Sequence, residues 1–447
     1  MMNESAYVRW MLMQEARALL ARLGQVKPFV LTESMVPAAN FPLSAQTAIE
    51  RYLSKGRQAL RLRVQAYLRW LQGLNDHNTH PAGAQRRLSL LRLGFNATLA
   101  QFDIFADALT QRSETETGVW LAGLDVVAAD ALRLDDYYIA PAVICYLDRG
   151  AGAAIRRART RLPGGGENPV AVIRVPRERM IGSGIASSLI HEAGHQAAAL
   201  LDLVNSLRMG LRQQERKDKD SVWRYWERWI SEIIADFWSV ARVGVTSTLG
   251  LIGVVSLPRA FVFRMNMDDP HPFPWIRVIL SCAIGQALYP HPQWQRLARL
   301  WESFYPKTGL DAARYTLLDR LEAGIPEFVD LLIHHQPRSL RGLSLIEVME
   351  TETRSPGRLT DNYEYWRRTP MAMYRAAPTL AFAVIGQARA DGRMSPELES
   401  AILAKLLTHW AVRSTLNAAE ACVVMPEAAH GSGRHFHEPG HGLAAVV

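Results

Sequence analysis

One pentapeptide, His191-Glu192-Ala193-Gly194-His195, has residue types and a spacing suited to hydrolytic chemistry. Its flanks are helix-forming, and residues four apart share one face of a helix. His191 and His195 can therefore offer their imidazoles to the same tetrahedral zinc ion. Glu192 can reach the open coordination position, where a water molecule would lie. Zinc lowers the pKa of that water and a nearby carboxylate can accept its proton, so the pentapeptide predicts metal-assisted hydrolysis.

A third zinc ligand is expected from the downstream segment WISEIIADFW, in which Glu232 and Asp236 lie four residues apart on an otherwise apolar helix. Two acids on one face of a buried helix are costly unless something compensates them, and a dication with its histidine ligands would do so. We expect Glu232 to be the third ligand and Asp236 to accept a hydrogen bond from His191. The alternative is that both acids pair with lysine or arginine from the basic segment that precedes this helix.

Further along the chain, His271 stands on a turn stiffened by prolines and Arg277 follows six residues later. An imidazole and a guanidinium at one wall of a cleft can stabilise the charge of a tetrahedral intermediate. His271 could supply a donor to the oxyanion. Arg277 could bind a substrate carbonyl or carboxylate, or support the aspartates. The alternative for His271 is a simple turn residue.

Taken in order, HEAGH, EIIAD and HPFPWIR resemble the pattern of the gluzincin metallopeptidases, the thermolysin-like and neprilysin-like enzymes. The resemblance covers about 110 residues, from 168 to 277. It implies one Zn²⁺ per chain, bound by His191, His195 and Glu232. It also implies catalytic roles for three residues and an orienting role for a fourth: Glu192 as general base, His271 as transition-state donor, Arg277 as ligand of the substrate carbonyl, and Asp236 as the residue that orients His191.

The resemblance also implies an edge strand before the zinc helix that binds the peptide backbone. The segment NPVAVIRVP, residues 168–176, stands at the expected place. Strand addition supplies main-chain hydrogen bonds with little sequence preference. The predicted substrate-binding residues are Val170, Ala171, Val172 and Ile173.

The elements around these motifs follow from hydrophobic periodicity. Residues 1–135 are expected to be a helical region, and short β-branched segments between 137 and 180 to be strands. Helices are expected over about 186–206 and 221–243, with a polar loop between them, and an apolar run within 243–263 is expected to be a buried core helix. The predicted fold is α+β and mainly helical, with a zincin-like core whose small sheet flanks the HExxH helix. Its regions are 1–135 (N-terminal helices), 136–265 (catalytic core), 266–425 (C-terminal helical lobe) and 426–447 (a flexible tail rich in histidine and glycine).

Composition excludes several classes of protein. The 447 residues are 49% hydrophobic and 21% charged, which is typical of a folded chain with a sizeable core. A net charge of +8 is too diffuse for a dedicated nucleic-acid-binding protein. Three widely spaced cysteines argue against a disulfide framework. With neither a signal peptide nor a membrane span expected, the predicted location is cytoplasmic.

Three hypotheses for function remain open. The first is a zinc metallopeptidase that acts on peptides or small proteins, with neither nucleic acid nor membrane as partner. The second keeps the metal but acts on a non-peptide amide or ester, or on one specific small peptide. The third is a non-catalytic helical scaffold, with zinc structural or absent. The oligomeric state does not follow from the sequence.

Overall fold

The computed structural model describes residues 4–73, 80–149, 152–163, 165–177, 181–217 and 222–424, so the predicted tail at 426–447 lies outside the described residues. The described residues form sixteen α-helices and three β-strands. The helices are α1 (Glu4–Gln25), α2 (Leu43–Gln72), α3 (Pro81–Thr110), α4 (Thr115–Leu132), α5 (Ser183–Leu200), α6 (Leu203–Lys217), α7 (Trp223–Val243), α8 (Val245–Val255), α9 (Arg259–Val262), α10 (Pro274–Leu288), α11 (Pro292–Phe304), α12 (Ala312–Ile333), α13 (Pro356–Arg368), α14 (Pro370–Arg375), α15 (Pro378–Ala390) and α16 (Pro396–Val424). The strands are β1 (Val143–Asp148), β2 (Ala154–Arg156) and β3 (Ala171–Pro176).

The fold is α+β and predominantly helical, with one small sheet, as the sequence predicts. The strand order is β1-β3-β2, with β3 parallel to β1 and antiparallel to β2. Strand β2 lies in a basic segment and was not predicted. It has only three residues, too few to produce a recognisable alternation of apolar and polar side chains.

Both faces of the sheet are covered by helices, because alternate residues of the two longer strands enter different cores. Cys145 and Ile173 point into the main core, which also contains residues of α4, α5 and α7. Ile144 and Val172 point the other way, into a second core with residues of α2 and α3. The sheet therefore separates the candidate zinc helix from the first helices of the chain.

The outer edge of β1 is closed by three side chains. Asp125 of α4 accepts a hydrogen bond from the Cys145 amide at 2.6 Å, and Arg112 donates to the Cys145 carbonyl at 2.6 Å. The side-chain amide of Gln111 bonds both the N–H and the carbonyl of Leu147, at 2.7 and 2.8 Å. These side chains satisfy backbone groups that an edge strand otherwise leaves free, so another strand cannot add here.

Two helix boundaries differ from the prediction. The helix expected over 186–206 ends at Leu200, and Asp202 adopts a left-handed conformation with φ of 52° before α6 begins. The prediction of a polar loop after this helix is wrong as far as Lys217, because the residues up to Lys217 belong to α6. Its amphipathic pattern places Leu203, Leu207 and Leu211 in the core and its charged residues outward.

The apolar run within residues 243–263 contains the buried helix α8, as predicted. Gly244, with φ of 56°, separates this helix from α7. Among the described residues, no helix combines the length and the apolar character that crossing a bilayer requires.

Candidate metal centre

The centre forms where α5 passes very close to α7. Gly194 lies at the contact, and a Cβ added to it would be 2.9 Å from Cβ of Trp238 and 3.0 Å from Cα of Ala235. Only glycine permits this approach. The histidines of α5 and the acids of α7 can therefore meet despite the short side chain of aspartate.

His191, His195 and Glu232 converge, each offering one ligand atom, and these three atoms lie within 4.8 Å of one another. Nε2 of His191 is 3.2 Å and Nε2 of His195 is 3.4 Å from Oε2 of Glu232. Zinc bonds of about 2.0–2.2 Å in a tetrahedron place ligand atoms about 3.3–3.5 Å apart. The two separations from Glu232 therefore fit a tetrahedral zinc site, and the ligand atoms of the two histidines lie within 4.8 Å of each other. These three residues could hold Zn²⁺ and leave one vertex for a further ligand.

Asp236 lies between His191 and the guanidinium of Arg277 and bonds both. Its Oδ1 lies 2.8 Å from Nδ1 of His191, so Nε2 of that ring is directed towards Glu232. Arg277 donates to both carboxylate oxygens of Asp236, from Nε at 2.7 Å and from Nη2 at 2.8 Å. Of the two roles considered for Arg277, this geometry favours support of the aspartate over binding of a substrate carbonyl.

His271 also lies beside the carboxylate of Glu232. Its Nε2 is 3.1 Å from Oε2 of Glu232, and its Nδ1 is 2.7 Å from Oδ1 of Asp269. His271 is not one of the three residues whose ligand atoms all lie within 4.8 Å of one another. Its side chain is 43% exposed, so it can meet a bound molecule at the open side of the centre.

The charges at the centre shift the titration of its acids and bases strongly. Burial alone would lower the pKa of His191, but the charge of Asp236 and the hydrogen bonds to Asp236 and Glu232 raise it to about 9. Burial alone would raise the pKa of Glu232, but hydrogen bonds from His191, His195 and His271 hold it far below its usual range. The Arg277 guanidinium and His191 overcome burial and depress the pKa of Asp236 in the same way. Strong charge coupling of this kind is typical of functional sites.

Glu192 lies on α5 beside the first histidine and is buried. In the part of the chain that the structure describes, no residue donates a hydrogen bond to its carboxylate or forms an ion pair with it. A carboxylate without protein partners next to a metal site is free to accept a proton from water.

The prediction of an edge strand at 168–176 is wrong. Strand β3 is the middle strand: Val172 and Ile173 pair with Ile144 and Cys145 of β1 on one side and with β2 on the other. The four residues proposed to bind substrate are buried: Val170, Ala171, Val172 and Ile173. In the described chain, β2 pairs with β3 alone, so the open edge of the sheet belongs to Ala154–Arg156.

Three functional candidates were missed by sequence reasoning. Asp269 orients His271, and its position two residues before that histidine was the available signal. Ser231 places Oγ 3.5 Å from Nδ1 of His195. Gln196 accepts a hydrogen bond from the Ala158 amide at 2.7 Å, which ties α5 to the segment after β2. The last two contacts join distant parts of the chain and have no local signature.

A small cavity of about 190 Å³ adjoins the centre at His271 and Asp269. The side chains of Leu257 and Phe261 contribute apolar walls, and Arg264 adds a positive charge.

Comparisons of the chain with protein-family models, with curated proteins and with solved structures find no match in any of the three. The chemistry of the centre must therefore be inferred from the contacts described above.

Proposed function

We propose that the protein is a zinc-dependent hydrolase of amide bonds, with peptides as substrates. The observation that carries this proposal is the convergence of His191, His195 and Glu232, whose ligand atoms lie within 4.8 Å of one another. Glu192, on the helix of the two histidines, has a carboxylate without an ion pair or hydrogen bond among the described residues. A scaffold with only structural zinc would close all four positions with protein ligands, whereas three ligands leave room for water and substrate.

Each side chain has a defined task in the proposed reaction. His191, His195 and Glu232 would hold the ion, which would supply Lewis acidity to water and to the substrate carbonyl. Glu192 takes the proton of the attacking water and delivers it to the leaving nitrogen. His271, oriented by Asp269 at 2.7 Å, donates to the oxygen on which negative charge develops. Asp236 and Arg277 fix His191 from behind the centre.

An extended peptide would add to β2 rather than to β3. Among the described residues no second strand pairs with β2, although Asn168 donates to the Arg156 carbonyl at 3.1 Å, whereas the edge of β1 is closed by side chains and β3 is internal. Gln196, one residue after His195, bonds Ala158 just beyond β2, which supports a position of this edge beside the zinc helix. The zincin-like arrangement of sheet and helix belongs to the same proposal.

The short edge favours a second candidate as well. Three residues of β2 offer few main-chain hydrogen bonds, so strand addition by a long peptide gains little. A short peptide, or a small non-peptide amide or ester, would depend instead on the 190 Å³ cavity beside His271. The metal chemistry is the same for both candidates.

The test is a peptide-library cleavage profile on protein loaded with zinc, alongside the Glu192→Gln variant with its zinc content measured. The proposal expects cleavage by the wild type and a loss of about 10²–10⁴-fold in the variant at unchanged zinc content. Cleavage that survives the substitution with metal bound would overturn it. Activity on small amides or esters alone, equally lost in the variant, would select the second candidate.

A further inference from the structure

A cavity of about 550 Å³ lies between α2 and α3, in the helical lobe on the far side of the sheet from the metal centre. None of the residues of the centre lines it. Its volume falls in the range of pockets that bind small molecules, which typically combine a concave shape with a few well-placed polar groups.

The floor of this cavity carries two polar side chains that are almost fully buried, Gln101 (5% exposed) and Thr98 (6% exposed). The Gln101 amide nitrogen donates to the carbonyl of Pro163, and among the described residues no donor reaches its Oε1. The Thr98 hydroxyl donates to the carbonyl of Gly94 at 3.0 Å, so its lone pairs remain available. The floor therefore presents two acceptors, Oε1 of Gln101 and Oγ1 of Thr98, to which a bound molecule can donate.

The rim of the cavity carries two cations, Lys55 and Arg63. Within the described part of the chain, neither has a carboxylate within 4.0 Å, although Glu167 also lines the cavity. Unpaired cations beside a concave surface raise the local concentration of anions. The rim thus complements a negative group and the floor complements hydrogen-bond donors.

Two glycines in the middle of the facing helices keep the cavity open. A Cβ added to Gly56 would lie 3.2 Å from Oε1 of Gln101, and one added to Gly94 would lie 3.6 Å from Nη1 of Arg63. Glycine inside a helix costs about 1 kcal/mol relative to alanine. At these positions the absence of a side chain gives access to the polar groups that line the cavity.

We infer that this cavity binds a small hydroxylated organic anion. Its carboxylate or phosphate group would lie at Lys55 and Arg63, and its hydroxyl groups would donate to Gln101 and Thr98. The site is separate from the metal centre and does not depend on the proposed hydrolase activity.

Isothermal titration of the full chain with five probes tests this inference: L-malate, glycerol 3-phosphate, succinate, inorganic phosphate and glycerol. The anionic group makes charged hydrogen bonds and the hydroxyl makes neutral, weaker ones. Malate or glycerol 3-phosphate should therefore bind at least about tenfold more tightly than glycerol, which lacks the charge, and about fivefold more tightly than its counterpart without the hydroxyl, succinate or inorganic phosphate. The preferred member of the pair identifies carboxylate or phosphate as the anionic group. The inference would be overturned if no probe bound with a Kd below about 10 mM. It would also be overturned if the hydroxyl made no difference, so that succinate bound as tightly as malate and inorganic phosphate as tightly as glycerol 3-phosphate.

Exposed residues of α2 provide variants that do not threaten the fold. Arg63→Gln should weaken binding of the preferred probe about tenfold, by the loss of one charged hydrogen bond. Arg61→Gln removes the same charge from the same helix at an exposed position that does not line the cavity, and it should leave the affinity unchanged. Equal weakening by both variants would show a general effect of charge and would contradict a defined site.

Discussion

Arg277 donates two hydrogen bonds to the carboxylate of Asp236, at 2.7 and 2.8 Å, and this carboxylate lies between the guanidinium and the ring of His191. Two of the three guanidinium nitrogens are therefore engaged within the protein. The arrangement neutralises an acid that is 8% exposed, and it fixes the orientation of a candidate metal ligand. Arg277 is accordingly a positioning residue in this structure.

Replacement of Arg277 by alanine should lower the free energy of unfolding by about 3 kcal/mol, because it removes the cation that bonds both oxygens of the almost buried Asp236 carboxylate and leaves that carboxylate bonded to the His191 ring. Urea denaturation measures this loss. Arg314→Ala is the matched control, since Arg314 forms an exposed ion pair with Asp311 at 3.3 Å and should cost less than about 1 kcal/mol. Equal losses in the two variants would contradict the role assigned to Arg277.

Zinc content should depend on all three proposed ligands. Purified wild-type protein should contain about one zinc per chain, and Glu232→Ala or His195→Ala should reduce this to a small fraction, because a site with two remaining ligands binds weakly. Elemental analysis after dialysis gives the stoichiometry. His334→Ala, which removes an exposed histidine on a different part of the chain, should retain the metal. A wild type that takes up no zinc would remove the catalytic proposal.

Loss of the His271 ring should affect turnover more than binding. His271→Phe should reduce kcat about 10²–10³-fold with zinc retained, because a donor to the developing oxyanion is removed while the ion and its ligands stay in place. Asp269→Asn should cause a smaller reduction, since it weakens the orientation of His271 without deleting the ring. Steady-state kinetics measures kcat, and zinc analysis shows whether the metal is retained. An unchanged kcat in His271→Phe would exclude the proposed donor role.

Close approach of α5 and α7 should make Gly194 intolerant of any side chain. Gly194→Ala forces its Cβ against Trp238 and Ala235 and should cost about 1–3 kcal/mol of stability, with weaker zinc binding as the helices separate. Gly210→Ala is the control on α6, where nothing lies within 4 Å of the added Cβ. Helix propensity predicts that this control gains about 0.5–1 kcal/mol. Thermal melting of both variants, with and without zinc, tests whether Gly194→Ala lowers the stability while Gly210→Ala raises it.

Stability should fall below about pH 6.5 through a histidine remote from the centre. Nε2 of His335 lies 2.9 Å from the hydroxyl of Ser206, and burial lowers the pKa of this histidine below its usual value. The unfolded chain then binds more protons than the folded chain, so stability is present above the unfolded pKa and is lost as pH falls. His335→Gln should reduce this slope in unfolding measurements between pH 7 and pH 5. An identical slope in the variant would show that other groups are responsible.

Much of the candidate centre follows from the sequence, because helical periodicity is a local property. The spacing of His191 and His195 places them on one face of a helix, and the spacing of Glu232 and Asp236 does the same for the acids. The apolar surroundings of the acids predict burial and the need for compensating partners. From these patterns alone, the four side chains are expected to meet, and their contacts agree with that expectation.

Only the tertiary structure shows the features that depend on contacts between residues far apart in the sequence. A strand's sequence does not show its neighbours. The resemblance to the gluzincin metallopeptidases implies an edge position for β3, whereas hydrogen bonds to β1 and β2 make it central. Arg277 could bind either substrate or acid, and only the distance to Asp236 distinguishes the two roles. The cavity between α2 and α3 likewise depends on the packing of two helices, which places Gly56 beside Gln101 and Gly94 beside Arg63. Periodicity along one element cannot specify such a meeting, since it depends on how separate elements pack in three dimensions.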